Sequence, residues 1–167
     1  RLAGEALSAL GASPIGMPIP QVPEALAQGV VDGCVIPWEV VPSLKINEFV
    51  EHHTEFPGSP TFYTATFVLA MNKARYEALP PELKQVLDAN SGEAAAVMAG
   101  TAWDTGGAAA KQQAEEQGNE IYAMPEDEMA RWRQATQPVV DAWVKATPDG
   151  AKLLEQAQAL IAKHSQA

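Results

Sequence analysis

Residues 10–37 read LGASPIGMPIPQVPEALAQGVVDGCVIP, and the alternation of helical and extended signals along them decides the fold class. Upstream, Ala3, Leu7 and Leu10 fall at i, i+4 and i+7, one face of a short helix, and Gly11 follows where a left-handed cap is wanted. The stretch from Ser13 to Pro20 contains Pro14, Pro18 and Pro20, which remove backbone donors and force extended conformations, so a short strand is expected around residues 14–17. Pro23, Glu24 and Ala25 open a second short helix that Gly29 ends. Val30 to Pro37 then reads as a turn followed by a buried strand. Helix, strand, helix, strand at this spacing predicts an α/β architecture, a sheet with helices on its faces.

Working outward toward the C-terminus, Trp38 to Phe49 is expected to be partly helical, with an interruption at Pro42. His52 to Phe56 has strand character, and Pro57-Gly58-Ser59-Pro60 is a turn. Thr61 to Met71, rich in β-branched and aromatic residues, is the strongest strand candidate, with Phe62, Tyr63 and Phe67 expected in the core. Pro80-Pro81-Glu82 opens a helix. Its stripe of Leu83, Val86, Leu87, Ala94, Val97, Met98 and Thr101 predicts one long helix toward Gln117, with Gly106-Gly107 as a point of weakness and Gly118-Asn119 as the stop. Glu120 to Met124 is a short strand. Pro125 begins a helix carrying Met129, Trp132 and Trp143, which Pro138 should kink, and Asp149 caps a last one. The chain divides near residue 80, into an α/β part over 1–80 and a mostly helical part over 81–167.

Composition narrows the function. The chain has 167 residues, and 11 Lys and Arg against 21 Asp and Glu give a net charge of −10. Residues 1–70 hold only Arg1 and Lys45 as cations, against seven acids. A nucleic acid or an anionic membrane surface wants a basic face, so neither is expected as a partner. Apolar residues make up 47% of the chain, which excludes disorder, although thirty of them are Ala and favour helix over a large oily core. There is no run of about 18 apolar residues to span a bilayer. Cys34 is the only cysteine, so neither an intrachain disulfide nor a cysteine zinc site can form.

The sequence lacks the phosphate-cradling glycine loops, the nucleophile elbow and the zinc-protease helix. His52 and His53 are adjacent, and on a strand they point to opposite faces, so they are not expected to share a metal. Cys34 lies in a Val-Val-Asp-Gly-Cys-Val-Ile run that reads as core, and turn chemistry before Gly33 accounts for Asp32. The alternative to a binding protein is a small α/β enzyme using Asp32 and Glu39, or Cys34. No catalytic set, metal or cofactor is expected.

Three blocks occur in order: Leu10-Gly11-Ala12 with Pro14-Ile15-Gly16-Met17-Pro18, then Glu24-Ala25-Leu26-Ala27-Gln28-Gly29-Val30-Val31-Asp32-Gly33, then Ile36-Pro37-Trp38-Glu39. Met71-Asn72-Lys73, Tyr76 and Leu79-Pro80 follow. This ordered set resembles the solute-binding proteins of tripartite ATP-independent periplasmic (TRAP) transporters, of the dicarboxylate-binding-protein type, over essentially the whole chain. The resemblance implies the C-terminal lobe of a two-lobe periplasmic-binding-protein-like fold. In it a small sheet is flanked by helices and followed by a long helix and C-terminal helices. It implies a periplasmic protein, not an enzyme, that binds an organic acid between its lobes and delivers it to a membrane permease.

The arginine that holds the carboxylate in this family would fall upstream of Arg1, and that role is not carried onto Arg1. Where many members have Glu and Asn after the Asp-Gly pair, this chain has Val35 and Ile36, which favours a larger, more apolar monocarboxylate over a small dicarboxylate. Ile19, Val35, Ile36, Trp38 and Glu39 are the expected ligand-binding residues, Trp38 as an apolar cap and Glu39 as an acceptor for a ligand hydroxyl. If the N-terminal lobe is missing, the helix faces bearing Val86, Val97, Trp132 and Trp143 lose partners, and self-association or repositioned C-terminal helices are expected.

Overall fold

The computed structural model describes residues 2–58 and 61–164. Among them the helices are α1 (Leu2–Ala9), α2 (Val22–Ala27), α3 (Lys73–Glu77), α4 (Pro81–Ala89), α5 (Glu93–Glu116), α6 (Glu126–Ala146) and α7 (Gly150–His164). Single 3₁₀ turns form at Ile19–Gln21, Trp38–Val40 and Ile46–Glu48. The strands are β1 (His52–Glu55) and β2 (Glu120–Ala123), paired in one two-stranded sheet. The pairing is parallel: the Glu120 N–H donates to the Glu51 carbonyl at 2.8 Å and the Met124 N–H to the Glu55 carbonyl at 3.0 Å, both strands advancing together. The mixed α/β class expected from the sequence is what forms, with helices dominating.

Helix ends fall where local chemistry places them. At Gly29 (φ 66°) and Gly118 (φ 88°) the chain enters the left-handed region, and the next residue reaches back across the turn. Val30 N–H donates to the Ala25 carbonyl at 2.9 Å, and Asn119 N–H to the Ala114 carbonyl at 3.0 Å. Pro81 and Glu82 occupy the first turn of α4, and Glu126, Asp127 and Glu128 that of α6, where acids complement the helix dipole. The long helix expected beyond Pro80 is two helices. Gly92 takes φ 66°, outside the right-handed basin, and separates α4 from α5. Gly106 and Gly107, by contrast, sit inside α5 without ending it. α6 runs through Pro138, which cannot donate to the Gln134 carbonyl.

Three expected strands do not form. Residues 14–17, 30–37 and 61–71 carry no assigned strand, because a strand requires a hydrogen-bonded neighbour and none of the described residues pairs with them. Apolar β-branched sequence specifies a surface that wants covering, and does not by itself supply the partner. Residues 38–49 are helical in part, as two 3₁₀ turns on either side of Pro42, with Lys45 in the left-handed region (φ 53°) between them. Of the turn expected at 57–60, Ser59 and Pro60 lie outside the described residues, as does Arg1.

The chain forms two compact units that interleave along the sequence. The first comprises Arg1–Val22, His52–Thr64 and Ile121–Ala167, and the second Pro23–Glu51 and Ala65–Glu120. In the first, α6 packs against α1 and α7, and Met124 and Met129 are buried. Phe56, Phe62 and Trp132 meet there with ring centroids 5.4–5.6 Å apart, a geometry that adds to simple burial. In the second, Ala110 and Ala114 of α5 are buried with Val41 and Ile46. Their small side chains let the 38–49 segment approach the helix axis. Asn47 is buried too, and its polar groups are satisfied at the end of α5. Its Nδ2 donates to Gln117 Oε1, and its carbonyl accepts from Asn119 Nδ2 at 3.4 Å.

Candidate functional site

Four of the five expected ligand-binding residues, Val35, Ile36, Trp38 and Glu39, lie within five consecutive positions of the second unit. Pro37 (φ −69°, ψ 152°) sets an extended backbone immediately before the 3₁₀ turn Trp38–Val40. The turn closes through Val40 N–H to the Pro37 carbonyl at 3.2 Å and Val41 N–H to the Trp38 carbonyl at 3.0 Å. Buried Val41 then anchors it. Trp38, Glu39 and Ile36 are half-buried and Val35 is exposed, so this segment offers an apolar surface with one carboxylate at its edge.

The floor beneath the turn is α5. A Cβ added to Gly106 would stand 3.5 Å from the Glu39 Cβ, and one added to Gly107 would stand 3.6 Å from the Trp38 Cβ. Two glycines in the interior of a helix cost about 2 kcal/mol relative to alanine. Here they flatten α5 at the point where the Trp38 turn rests on it. In the sequence they read as a weak point in the helix; the signal for their role is their helical register, visible only once the turn is seen to lie over them.

Ile19 belongs to the first unit, exposed on its own 3₁₀ turn, Ile19–Gln21. Asp32 is exposed. Cys34 is half-buried, and its burial pushes the thiol above the ordinary range, so it is held as the poorly nucleophilic thiol. That is the opposite of what the alternative enzyme reading requires of it. His52 and His53 occupy successive positions of β1, the first exposed and the second half-buried. Among the described residues no group of three or more His, Cys, Asp or Glu is placed to hold a metal ion.

The aromatic residues divide between packing and exposure. Phe56, Thr61, Phe62, Met129, Trp132, Arg133 and Thr136 surround a cavity of about 70 Å³. That is well below the roughly 300–1,000 Å³ of pockets that hold small ligands, so this cluster is packing. Phe67 was expected in the core but is exposed, stacked on Trp103 of α5 at 4.7 Å between centroids.

Comparison with known proteins supplies the context for this geometry. Residues 1–146 match the family model described as bacterial extracellular solute-binding protein, family 7. A TRAP solute-binding protein from Rhodoferax ferrireducens, solved with copurified benzoate, is similar at 46% identity and a TM-score of 0.92 over 99% of this chain and 53% of that one. A marine metagenome TRAP solute-binding protein specific for aromatic acid ligands, solved with metahydroxyphenylacetate, is similar at 40% identity and a TM-score of 0.93 over 98% of this chain and 53% of that one. A TRAP periplasmic solute-binding protein from Bordetella bronchiseptica, with bound (R)- and (S)-mandelate, is similar at 30% identity and a TM-score of 0.79 over 96% of this chain and 52% of that one. The chain therefore spans about half the length of the solved structures it matches.

Proposed function

We propose that this chain, which belongs to family 7 of the bacterial extracellular solute-binding proteins, contributes one wall of a binding site for an aromatic monocarboxylic acid. The observation that carries the reading is the 46% identity to a protein that holds benzoate, met by the apolar Val35-Ile36-Pro37-Trp38 run of this chain. An aryl carboxylate has a flat apolar body and a single charged end. Val35, Ile36 and Trp38 suit the body, because a pocket that excludes water gains about 25 cal/mol for each Å² of apolar surface it covers. Glu39 suits a ring hydroxyl, whose O–H would donate to its carboxylate.

The carboxylate end needs a desolvated cation with two-point geometry, which arginine supplies. Within the second unit, Lys45 pairs with Glu48 at 3.4 Å and Lys73 with Glu77 at 3.8 Å, and the Lys84 ammonium donates to the Glu77 carbonyl at 2.7 Å. The family resemblance puts that arginine upstream of Arg1, so it is proposed to come from polypeptide outside these 167 residues, with the chain acting as the C-terminal portion of a longer protein. The ligand shifts that protein toward its closed state and is handed to a TRAP permease from the periplasm. No helix of the described residues is long and apolar enough to cross a membrane. Function as a binder without turnover is part of the same proposal.

Isothermal titration of the full-length natural protein tests the reading. Benzoate, 3-hydroxybenzoate and mandelate should bind saturably at one site, and succinate at least tenfold more weakly. Absence of saturable binding by every aryl carboxylate, or a preference for succinate, overturns it.

A further inference from the structure

Among the described residues Asn47 is the one buried polar residue, 7% exposed, at the far end of the segment that carries Trp38 and Glu39. Burying an amide is costly unless its groups find partners. Asn47 finds them at the C-terminal end of α5. Its Nδ2 donates to Gln117 Oε1, and its main-chain carbonyl accepts from Asn119 Nδ2 at 3.4 Å. An apolar side chain would fill the same space without that cost, so the polar contact calls for a reason other than stability.

The face of α5 under the segment supplies one. Gly107, Ala110, Ala114 and Gln117 fall at i, i+3, i+7 and i+10, one stripe of the helix. Gly107 lies under Trp38, Ala110 and Ala114 are buried, and Gln117 meets Asn47. The segment is therefore laid along α5 from residue 107 to residue 117, a rise of about 15 Å. Glycine and alanine give it little to catch on, and apolar contact is non-directional. Among the described residues the backbone hydrogen bonds of 38–49 close within the segment and its immediate neighbours. They run from Val40 N–H to the Pro37 carbonyl (3.2 Å) through Phe49 N–H to the Ile46 carbonyl (2.8 Å). Such bonds fix the shape of the segment but not its place along the helix. The Asn47 contacts are directional, and their partners stand at one height on α5.

We infer that Asn47 is a positioning residue for the aryl-carboxylate site: its contacts with Gln117 and Asn119 set the register of residues 38–49 on α5 and so hold Trp38 in place for the ring. The inference rests on the reading of the Trp38 turn as a wall of that site. Asn47 acts through Trp38, nine residues away, and not by touching the ligand. If the segment slips, only a fraction of molecules keep Trp38 in place. The apparent affinity then falls in proportion to that fraction, alike for every aryl acid.

The full-length natural protein labelled with 5-fluorotryptophan tests this, the Trp38 signal being assigned by its loss in Trp38→Phe. Without ligand, the fluorine spectrum should show one Trp38 resonance. Asn47→Ala and Gln117→Met should each move at least four-fifths of its intensity to a second position, with helix content unchanged. Gln117 is exposed, so Gln117→Met keeps the test open if Asn47→Ala does not fold. Gln117→Glu, which retains an acceptor for Asn47 Nδ2, should restore the original signal. By titration calorimetry, benzoate and 3-hydroxybenzoate should each bind both disrupted variants at least fivefold more weakly, by equal factors. The double variant should be no worse than either single one, because the two residues act as a unit. A wild-type Trp38 signal in both disrupted variants overturns the inference, whatever the protein binds. So does Gln117→Glu behaving like Gln117→Met, or undiminished affinity alongside a displaced signal. Displaced signals in a protein that binds no aryl carboxylate leave Asn47 as the positioner of Trp38 and overturn the binding reading instead.

Discussion

Trp38 and Glu39 are neighbours on one turn but do different physical work in the proposed site. Trp38 supplies flat apolar area, so Trp38→Ala in the full-length protein should weaken benzoate and 3-hydroxybenzoate alike, by at least tenfold, or about 1.4 kcal/mol. Glu39 supplies an acceptor that only a hydroxylated ring can use. Glu39→Gln should weaken 3-hydroxybenzoate about five- to tenfold and leave benzoate within twofold, because a charge-assisted hydrogen bond is worth about 1.5–3 kcal/mol and only part survives with the amide. Equal losses on the two ligands by titration calorimetry would place Glu39 in a structural role.

Glu128 makes a second residue-scale prediction. Hydrogen bonds from Arg131 and from the Trp132 indole (Nε1 to Oε1 at 2.9 Å) favour the ionised carboxylate and hold it below the usual glutamate range. A folded-state value below the unfolded one means that the stabilisation is present above the ordinary glutamate range and lost as pH falls through the lowered value. Trp132 fluorescence should therefore report a transition in that acid window, and Glu128→Gln should abolish the transition while leaving the neutral-pH spectrum unchanged.

At the scale of elements, two glycines that look alike in sequence have opposite tolerances. Gly150 opens α7 at its corner with α6, directly after Asp149, itself in the left-handed region (φ 55°). A Cβ on Gly150 would stand 2.5 Å from the Val144 carbonyl oxygen, a backbone atom that cannot swing aside. Gly150→Ala should destabilise the chain by about 2–3 kcal/mol, as overpacking does, seen as a lower urea midpoint with unchanged slope. Gly107 faces Trp38 at an ordinary van der Waals distance. Gly107→Ala should stabilise α5 by up to about 1 kcal/mol through helix propensity, whereas Gly107→Leu should lift the Trp38 turn and lower the midpoint.

Helix boundaries at Gly29, Pro81, Gly118 and Pro125 were legible because caps and stops are written in a few adjacent residues. The strands at 14–17, 30–37 and 61–71 were misread for the complementary reason: β-propensity reports a wish for burial, and the partner that grants it is nonlocal. The short polar stretch His52–Glu55 succeeded as β1 because β2 lies beside it. The Trp38-Glu39 turn of the proposed site was legible as a motif. Its floor at Gly106-Gly107 was not, since that contact joins residues nearly seventy positions apart.

At the scale of the whole molecule, the interleaving of the two units also escapes local reading, since each is assembled from segments far apart in sequence. That arrangement leaves a surface whose chemistry is measurable. Large apolar side chains of the second unit, from Phe67 to Met71 and along α4 and α5, are open to solvent, and continuous apolar patches beyond a few hundred Å² are uncommon on monomers. A dye that fluoresces on apolar surface should bind the chain at neutral pH while its helix content stays intact by circular dichroism. The combination differs from an acid-expanded state, in which fixed side-chain packing is lost as well. Here the Phe56–Phe62–Trp132 cluster should keep its near-ultraviolet signal while dye binds elsewhere. Val68→Lys with Leu69→Lys should lower dye fluorescence by about half, because it removes the two most exposed large apolar side chains of the patch. Dye binding that is weak from the outset, or that survives the double substitution unchanged, would mean that the patch is not where the uncovered surface lies.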